Sequence, residues 1–156
     1  MCNLHDITTS QEATRQLFPD GSWIDRAGNV EPGDIYPDRL ASIVCREGDD
    51  MVQRKARWGL PSPKQFHSAS MIDRGVTNVL KATSPHWRRW LGLDNRCLVS
   101  FDRFAEPLGM GKGNAWFEPT GPAFFAGIHV EDWTSIRNLK DGGTTDDLFA
   151  WSCQSN

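Results

Sequence analysis

Apolar residues in this chain fall in short runs rich in β-branched and aromatic types, separated by Gly-, Pro- and Asp-rich stretches, a pattern of strands rather than long helices. Leu40 to Arg46 and Met51 to Trp58, flanking Glu47-Gly-Asp-Asp50, read as a hairpin of mixed polarity. Arg96 to Phe104, Ala115 to Glu118, Ala123 to Val130 and Asp147 to Cys153 read as buried strands. Two short helices are expected. Thr9-Ser-Gln-Glu12 is a capping-box pattern ahead of Ala13, Leu17 and Phe18, stopped by Pro19-Asp20-Gly21. Ser84-Pro85 places a cap and a first-turn proline before His86 to Leu91, which Gly92 ends. Residues 21–38 read as a long surface loop. The pattern predicts a strand-dominated α+β fold, a curled or barrel-like sheet with short peripheral helices.

A chain of 156 residues with 38% hydrophobic and 24% charged residues is expected to form a single domain over 1–156. Seven Trp and eight Phe stand against one Tyr, enough rings to serve a binding surface as well as a core. Nothing resembles a signal peptide or a membrane span, so a cytoplasmic location is expected by default. The four cysteines Cys2, Cys45, Cys97 and Cys153 form no CxxC pair. They read as free thiols, with Cys45 and Cys97 in the core. His86 and His129 lack partners at ligand spacing, so neither a metal nor another cofactor is expected. A net charge of −3 argues against a broadly basic nucleic-acid binder but leaves room for a local groove.

The most specific chemical feature is Cys2. If Met1 is removed, Cys2 becomes a terminal aminothiol whose amine and thiol both titrate a little above neutrality. Such a pair condenses with an aldehyde through nitrogen and closes a thiazolidine through sulfur, which an internal cysteine cannot do. On position alone the plainer reading is a chance cysteine at a frayed terminus.

Several segments together tip that balance: Met1-Cys-Asn-Leu4, Ala56-Arg-Trp-Gly-Leu-Pro61, Thr77-Asn78, Ser84-Pro-His-Trp-Arg-Arg-Trp-Leu91, Arg96-Cys-Leu-Val99, Phe104-Ala-Glu106 and Phe125-Ala-Gly-Ile128. In order and spacing they resemble the SOS response-associated peptidase (SRAP) family across nearly the whole chain. The resemblance implies a protein that shields abasic sites in single-stranded DNA by a covalent link from the N-terminal cysteine. It implies Cys2 as nucleophile, Glu106 as acid/base carboxylate and Asn78 as the amide holding the opened sugar. By residue type alone Glu106 is an ordinary strand-end glutamate and Asn78 an ordinary loop asparagine. For the DNA groove, Asn3, Pro37, Trp58, Pro61 and Lys81 are the candidates, with Arg57, Lys64, Arg88 and Arg89 as further sources of charge. Trp58 could instead be core, and Trp87 and Trp90 are expected to pack inward. Glu31, Asp34, Asp38, Asp49 and Asp50 read as a solvated acidic face.

The departures from that family matter too. Leu80 stands where many relatives carry an arginine, a loss that Lys81 makes good only as a point charge. Asn3 and Leu4 replace a common Gly and Arg, and Pro107 follows Glu106 directly. The chain ends at Asn156, before the family's His-Pro motif and last strands, so slower chemistry is expected. An incomplete sheet is expected too, monomeric or self-associating through an open edge. Two alternatives stay open: a degenerate relative with weak or no activity, and a Cys-dependent peptidase, which would need a histidine base not evident here.

Overall fold

The computed structural model describes residues 3–9, 11–67 and 71–152. Among them ten strands are laid down: β1 (Leu4–Ile7), β2 (Trp23–Asp25), β3 (Gly33–Ile35), β4 (Leu40–Glu47), β5 (Asp50–Trp58), β6 (Arg96–Phe101), β7 (Arg103–Pro107), β8 (Asn114–Phe117), β9 (Ala123–Asn138) and β10 (Gly142–Trp151). One α-helix, α1 (Gln11–Gln16), and three 3-10 turns, Lys64–Phe66, Arg88–Trp90 and Leu93–Asn95, complete the secondary structure. No helix among the described residues is long and apolar enough to cross a membrane.

The hairpin β4–β5 forms as its sequence predicts, with Glu47 opposite Asp50 and Gly48 at φ 60° taking the left-handed conformation of the two-residue turn. Around it β10, β9, β6, β4 and β5 lie side by side, and β10 pairs in parallel with β5, so these five strands close into a barrel. The open edge expected at the C-terminal end of the sheet is therefore not found there. Leu148, Phe149, Ala150 and Trp151 of the closing strand are all fully buried. Strand β2 adds to the far side of β5, and β3, β1, β7 and β8 form a second, four-stranded sheet. Cys45 and Cys97 face each other across β4 and β6 and are buried as expected. Burial pushes the Cys45 thiol up to about 11, so it is an inert core group.

Several local expectations are corrected. The strand foreseen over Arg96 to Phe104 breaks at Asp102, because that carboxylate turns aside to the chain leaving β1. It accepts from Thr8 Oγ1 and from Thr9 N, both at 2.8 Å. Burial raises the Asp102 carboxyl, but the hydrogen bonds from Thr9 and Thr8 outweigh that and hold it below the ordinary range. The helix expected over His86 to Leu91 is only the turn Arg88–Trp90, although Trp87 and Trp90 pack inward as foreseen. The loop of residues 21–38 contains β2 and β3. Strands β9 and β10 run well beyond the segments expected, and Cys153 lies outside the described residues.

His5 occupies the centre of the barrel's aromatic core. It is 1% exposed, with its ring edge-on to Trp151 at 4.7 Å and to Trp58 at 5.3 Å. Burial lowers its pKa to about 3, so the folded protein holds it neutral. The unfolded chain takes up that proton near the ordinary histidine value, so stability falls as pH drops below about 6.5 and continues to fall towards 3. Between pH 7 and pH 5 the loss from this residue is about 2 kcal/mol. Urea titrations at the two pH values are expected to show it in the wild type and to show that much less of it in His5→Phe. An equal pH dependence in both proteins would refute the assignment.

Candidate functional site

The register between β1 and β7 places Leu4 opposite Ala105, His5 opposite Phe104 and Asp6 opposite Arg103. Glu106 follows Ala105 directly, so the chain that enters β1 arrives beside it. Asn3, the first described residue, is exposed at that entrance, and Cys2 lies outside the described residues. Glu106 is half-buried, paired opposite Ala115 of β8, and by strand alternation shares a face with Phe104. The Phe104 ring on that face packs against Phe101, Phe117 and Phe125.

Asn78 is held at the end of β10. It bridges to Trp151 at the end of β10, Val79 N donates to Trp151 O at 2.8 Å, and Asn78 is 4% exposed. Its Nδ2 donates to Thr77 Oγ1 at 2.9 Å, while Thr77 O accepts from the Trp58 indole at 2.9 Å. The Trp151 ring that anchors this segment stacks on Phe125 at 4.6 Å and meets His5 edge-on. Glu106 is tied to β1 through β7, and Asn78 is linked to β1 through Trp151, whose ring meets His5.

The residues expected to contact DNA divide. Trp58 is 0% exposed, its ring 4.1 Å from that of Trp151 and its indole N–H engaged, so it is a core residue with no face to offer a base. Arg57 is also committed, donating Nε and Nη2 to Asp146 and Nη1 to the Asp38 carbonyl. Pro37 is exposed and lines a polar cavity of about 360 Å³ with Arg39, Arg57 and Arg137. Lys81 and Leu80 are exposed. In the expected acidic face, Glu31, Asp34 and Asp49 are exposed, while Asp38 and Asp50 are half-buried.

Pro61 is buried yet contributes to the wall of a groove of about 770 Å³. Lys64, Arg88 and Arg89 line it together with Trp133 of β9. His67 and His86 also face it, the latter joined by Nε2 to the Pro61 carbonyl at 2.8 Å. The three cations were legible as charge in the sequence. Trp133 and His67 were not, because the first lies beyond the strand expected to end at Val130 and the second carries no motif.

Arg137, which lines the polar cavity beside Pro37, was also missed. Its side chain is 5% exposed, and it donates to Gly59 O at 2.6 Å, Asp73 O at 3.3 Å and Ser135 Oγ at 3.1 Å. Burial lowers its pKa, against which Asp73 and Asp38 support the charge. The clamp needs two glycines in contact. Gly75, at φ +75°, lies so close that a Cβ there would meet Arg137 Nη1 at 2.2 Å and Gly59 Cα at 3.0 Å.

No family model matches the sequence, and no curated protein matches it. Solved structures do match in fold. A structural-genomics protein from Bordetella bronchiseptica aligns over 96% of this chain with a TM-score of 0.56 and 17% identity. Another from Bacteroides thetaiotaomicron aligns over 96% with a TM-score of 0.60 and 16% identity. This chain spans 70% and 66% of the lengths of those two proteins. At such identities the likeness establishes the fold and says nothing of activity.

The Arg137 clamp predicts that Gly75→Ala lowers stability by about 2–3 kcal/mol, since it adds a steric conflict to left-handed strain. Gly111, at φ +73° with nothing within 4 Å of a Cβ, supplies the control. Gly111→Ala carries the strain alone and is expected to cost about 1 kcal/mol. Equal losses for the two variants in thermal unfolding would show that the close approach to Arg137 contributes nothing.

Proposed function

We propose that this chain is a SRAP-type protein that captures abasic sites in single-stranded DNA through its N-terminal cysteine. The observation that supports the reading is the register of β1 on β7, which sets Leu4 opposite Ala105 and so brings the start of β1 beside Glu106. The segments that resemble the family are also the ones from which the site is built: the start of β1, Ala56 to Pro61, Asn78 and Phe104 to Glu106.

The chemistry needs few parts. With Met1 removed, the Cys2 amine adds to the aldehyde of the ring-opened sugar to give a carbinolamine. Glu106 in its acid form protonates the departing hydroxyl, water leaves, and an imine forms. The Cys2 sulfur then adds to the imine carbon while its proton passes to the nitrogen, which closes the thiazolidine. The balance is aldehyde plus aminothiol giving thiazolidine and one water. Asn78, 4% exposed at the end of β10, carries a carboxamide of the kind that would hold a sugar hydroxyl during these steps.

Mass spectrometry of the purified protein tests this, before and after incubation with a uracil-containing single-stranded oligonucleotide treated with uracil glycosylase. The expected product is the protein lacking Met1 plus the oligonucleotide minus one water. Cys2→Ala is expected to give none, and Glu106→Gln to form it about 10²–10⁴ times more slowly. A folded wild-type protein that has lost Met1 and forms no adduct would overturn the proposal.

A further inference from the structure

We propose that the polar cavity between the end of β1, residues 29–32 and the β4–β5 hairpin is a binding site for an uncharged polyhydroxyl molecule, a sugar or polyol of single-ring size. The cavity measures about 250 Å³. That is smaller than the roughly 300–1,000 Å³ of sites for drug-sized ligands, so it suits a single ring. It lies apart from the site described above. It opens beside Ile7, the last residue of β1, three residues or about 10 Å along the strand from Leu4.

The first observation is a pair of unanswered carboxamides. Gln53 lies in the middle of β5, and strand alternation turns it, with Ser42 of β4, to the face opposite Ile43 and Val52. It lines the cavity, is 1% exposed and donates Nε2 to Ser42 Oγ at 2.7 Å, but its Oε1 meets no donor among the described residues. Gln11 lines the cavity too, with a buried Nε2 that meets no acceptor among them. A buried carboxamide with one end unanswered costs free energy that an apolar side chain of similar size would not. The cavity therefore offers an acceptor and a donor that the protein itself leaves unused.

The rest of the lining selects the ligand. Thr8 and Thr9 give their hydroxyl protons to Asp102 and keep lone pairs that accept, while Ser42, which accepts from Gln53, keeps its proton to donate. A hydroxyl donates and accepts through one oxygen, so a molecule carrying several answers both carboxamides and these side chains with a single kind of group. Among the described residues no lysine, arginine or histidine lines the cavity, which disfavours an anion. Its one carboxylate, Glu31, is exposed and gives little hold on a cation. No aromatic ring among these residues lines it, so a flat base has nothing to stack on. Ile7, Val30 and Pro32 supply an apolar wall for the C–H face of a sugar or polyol.

The test titrates the full isotope-labelled chain with methyl glucoside, myo-inositol and ribitol, none of which carries an aldehyde to react with Cys2. The readout is the side-chain amide signals of Gln11 and Gln53 in proton–nitrogen correlation spectra. At least one of the three is expected to shift both sets saturably, with a Kd of about 1 mM or lower. Gln53→Leu, read at Gln11, is expected to weaken that binding about tenfold, and Gln11→Leu, read at Gln53, by a similar factor. The half-buried Gln11 keeps the test valid should Gln53→Leu fail to fold. Lys140→Gln, on the exposed turn between β9 and β10, is expected to leave the Kd unchanged. Three outcomes would each overturn the proposal: no saturable shift from any of the three at about ten times that concentration, unchanged affinity in both glutamine variants, or equally tight binding of inositol monophosphate or putrescine at the same signals. None of these outcomes depends on the reaction at Cys2.

Discussion

The seam between β10 and β5 carries more of this structure than its length suggests. Only Leu148 with Arg57 and Phe149 with Trp58 pair across it, in the parallel arrangement that is the weaker of the two per residue. Side chains reinforce it from both faces. On one face the rings of Trp58, Phe149 and Trp151 pack together and Arg54, 9% exposed, joins Asp147 to Glu47 and Glu131; on the other, Arg57 grips Asp146. The seam also places Gly59, whose N–H donates to Phe149 O at 2.8 Å, and through Trp151 O it fixes Val79 beside Asn78. Closing the barrel and positioning the Asn78 side of the site are thus one event. Burying the large rings at the seam, each contributing about 1.5–3 kcal/mol, supplies the driving force.

What the sequence made legible follows from where periodicity is enforced by burial on one side. The β4–β5 hairpin, the barrel portions of β9 and β10, and the inward Trp87 and Trp90 all belong to that class. Strand β1 escaped because Leu4, His5, Asp6 and Ile7 are all buried, which erases alternation, and two of the four are polar. The outer halves of β9 and β10 escaped for the opposite reason. Beyond Val130 and before Leu148 they form a largely solvated ribbon of Glu, Asp and Thr held by its own ladder, so no apolar period marks them. Trp58 was ambiguous in principle, since an aromatic at a strand end followed by Gly-Leu-Pro suits a stacking platform and a core equally well. Its indole N–H finding Thr77 O decided the matter, a long-range contact that no local pattern encodes.

The site residues were legible only through resemblance. Glu106 and Asn78 are unremarkable by type and spacing, and their placement is set by a sheet register and an isolated bridge to distant segments. Arg137 had no signal at all, because its function is to hold two glycines together from a position 62 residues after one of them.

The placement of histidine constrains the chemistry open to this end of the barrel. His5 lies on β1, and a histidine there could be taken for a proton donor in the proposed reaction. Its surroundings forbid that role. Enclosed by Trp58 and Trp151, it has a pKa of about 3 and carries no transferable proton as an acid near neutral pH. His129 is also lowered by burial and lies among Arg54, Glu131 and Asp147 rather than beside β1. An imidazole held neutral in a ring of indoles acts here as a flat, edge-packing core group. That leaves the proposed reaction to draw its acid from a carboxylate, and Glu106 is the one that the β1–β7 register sets beside the start of β1.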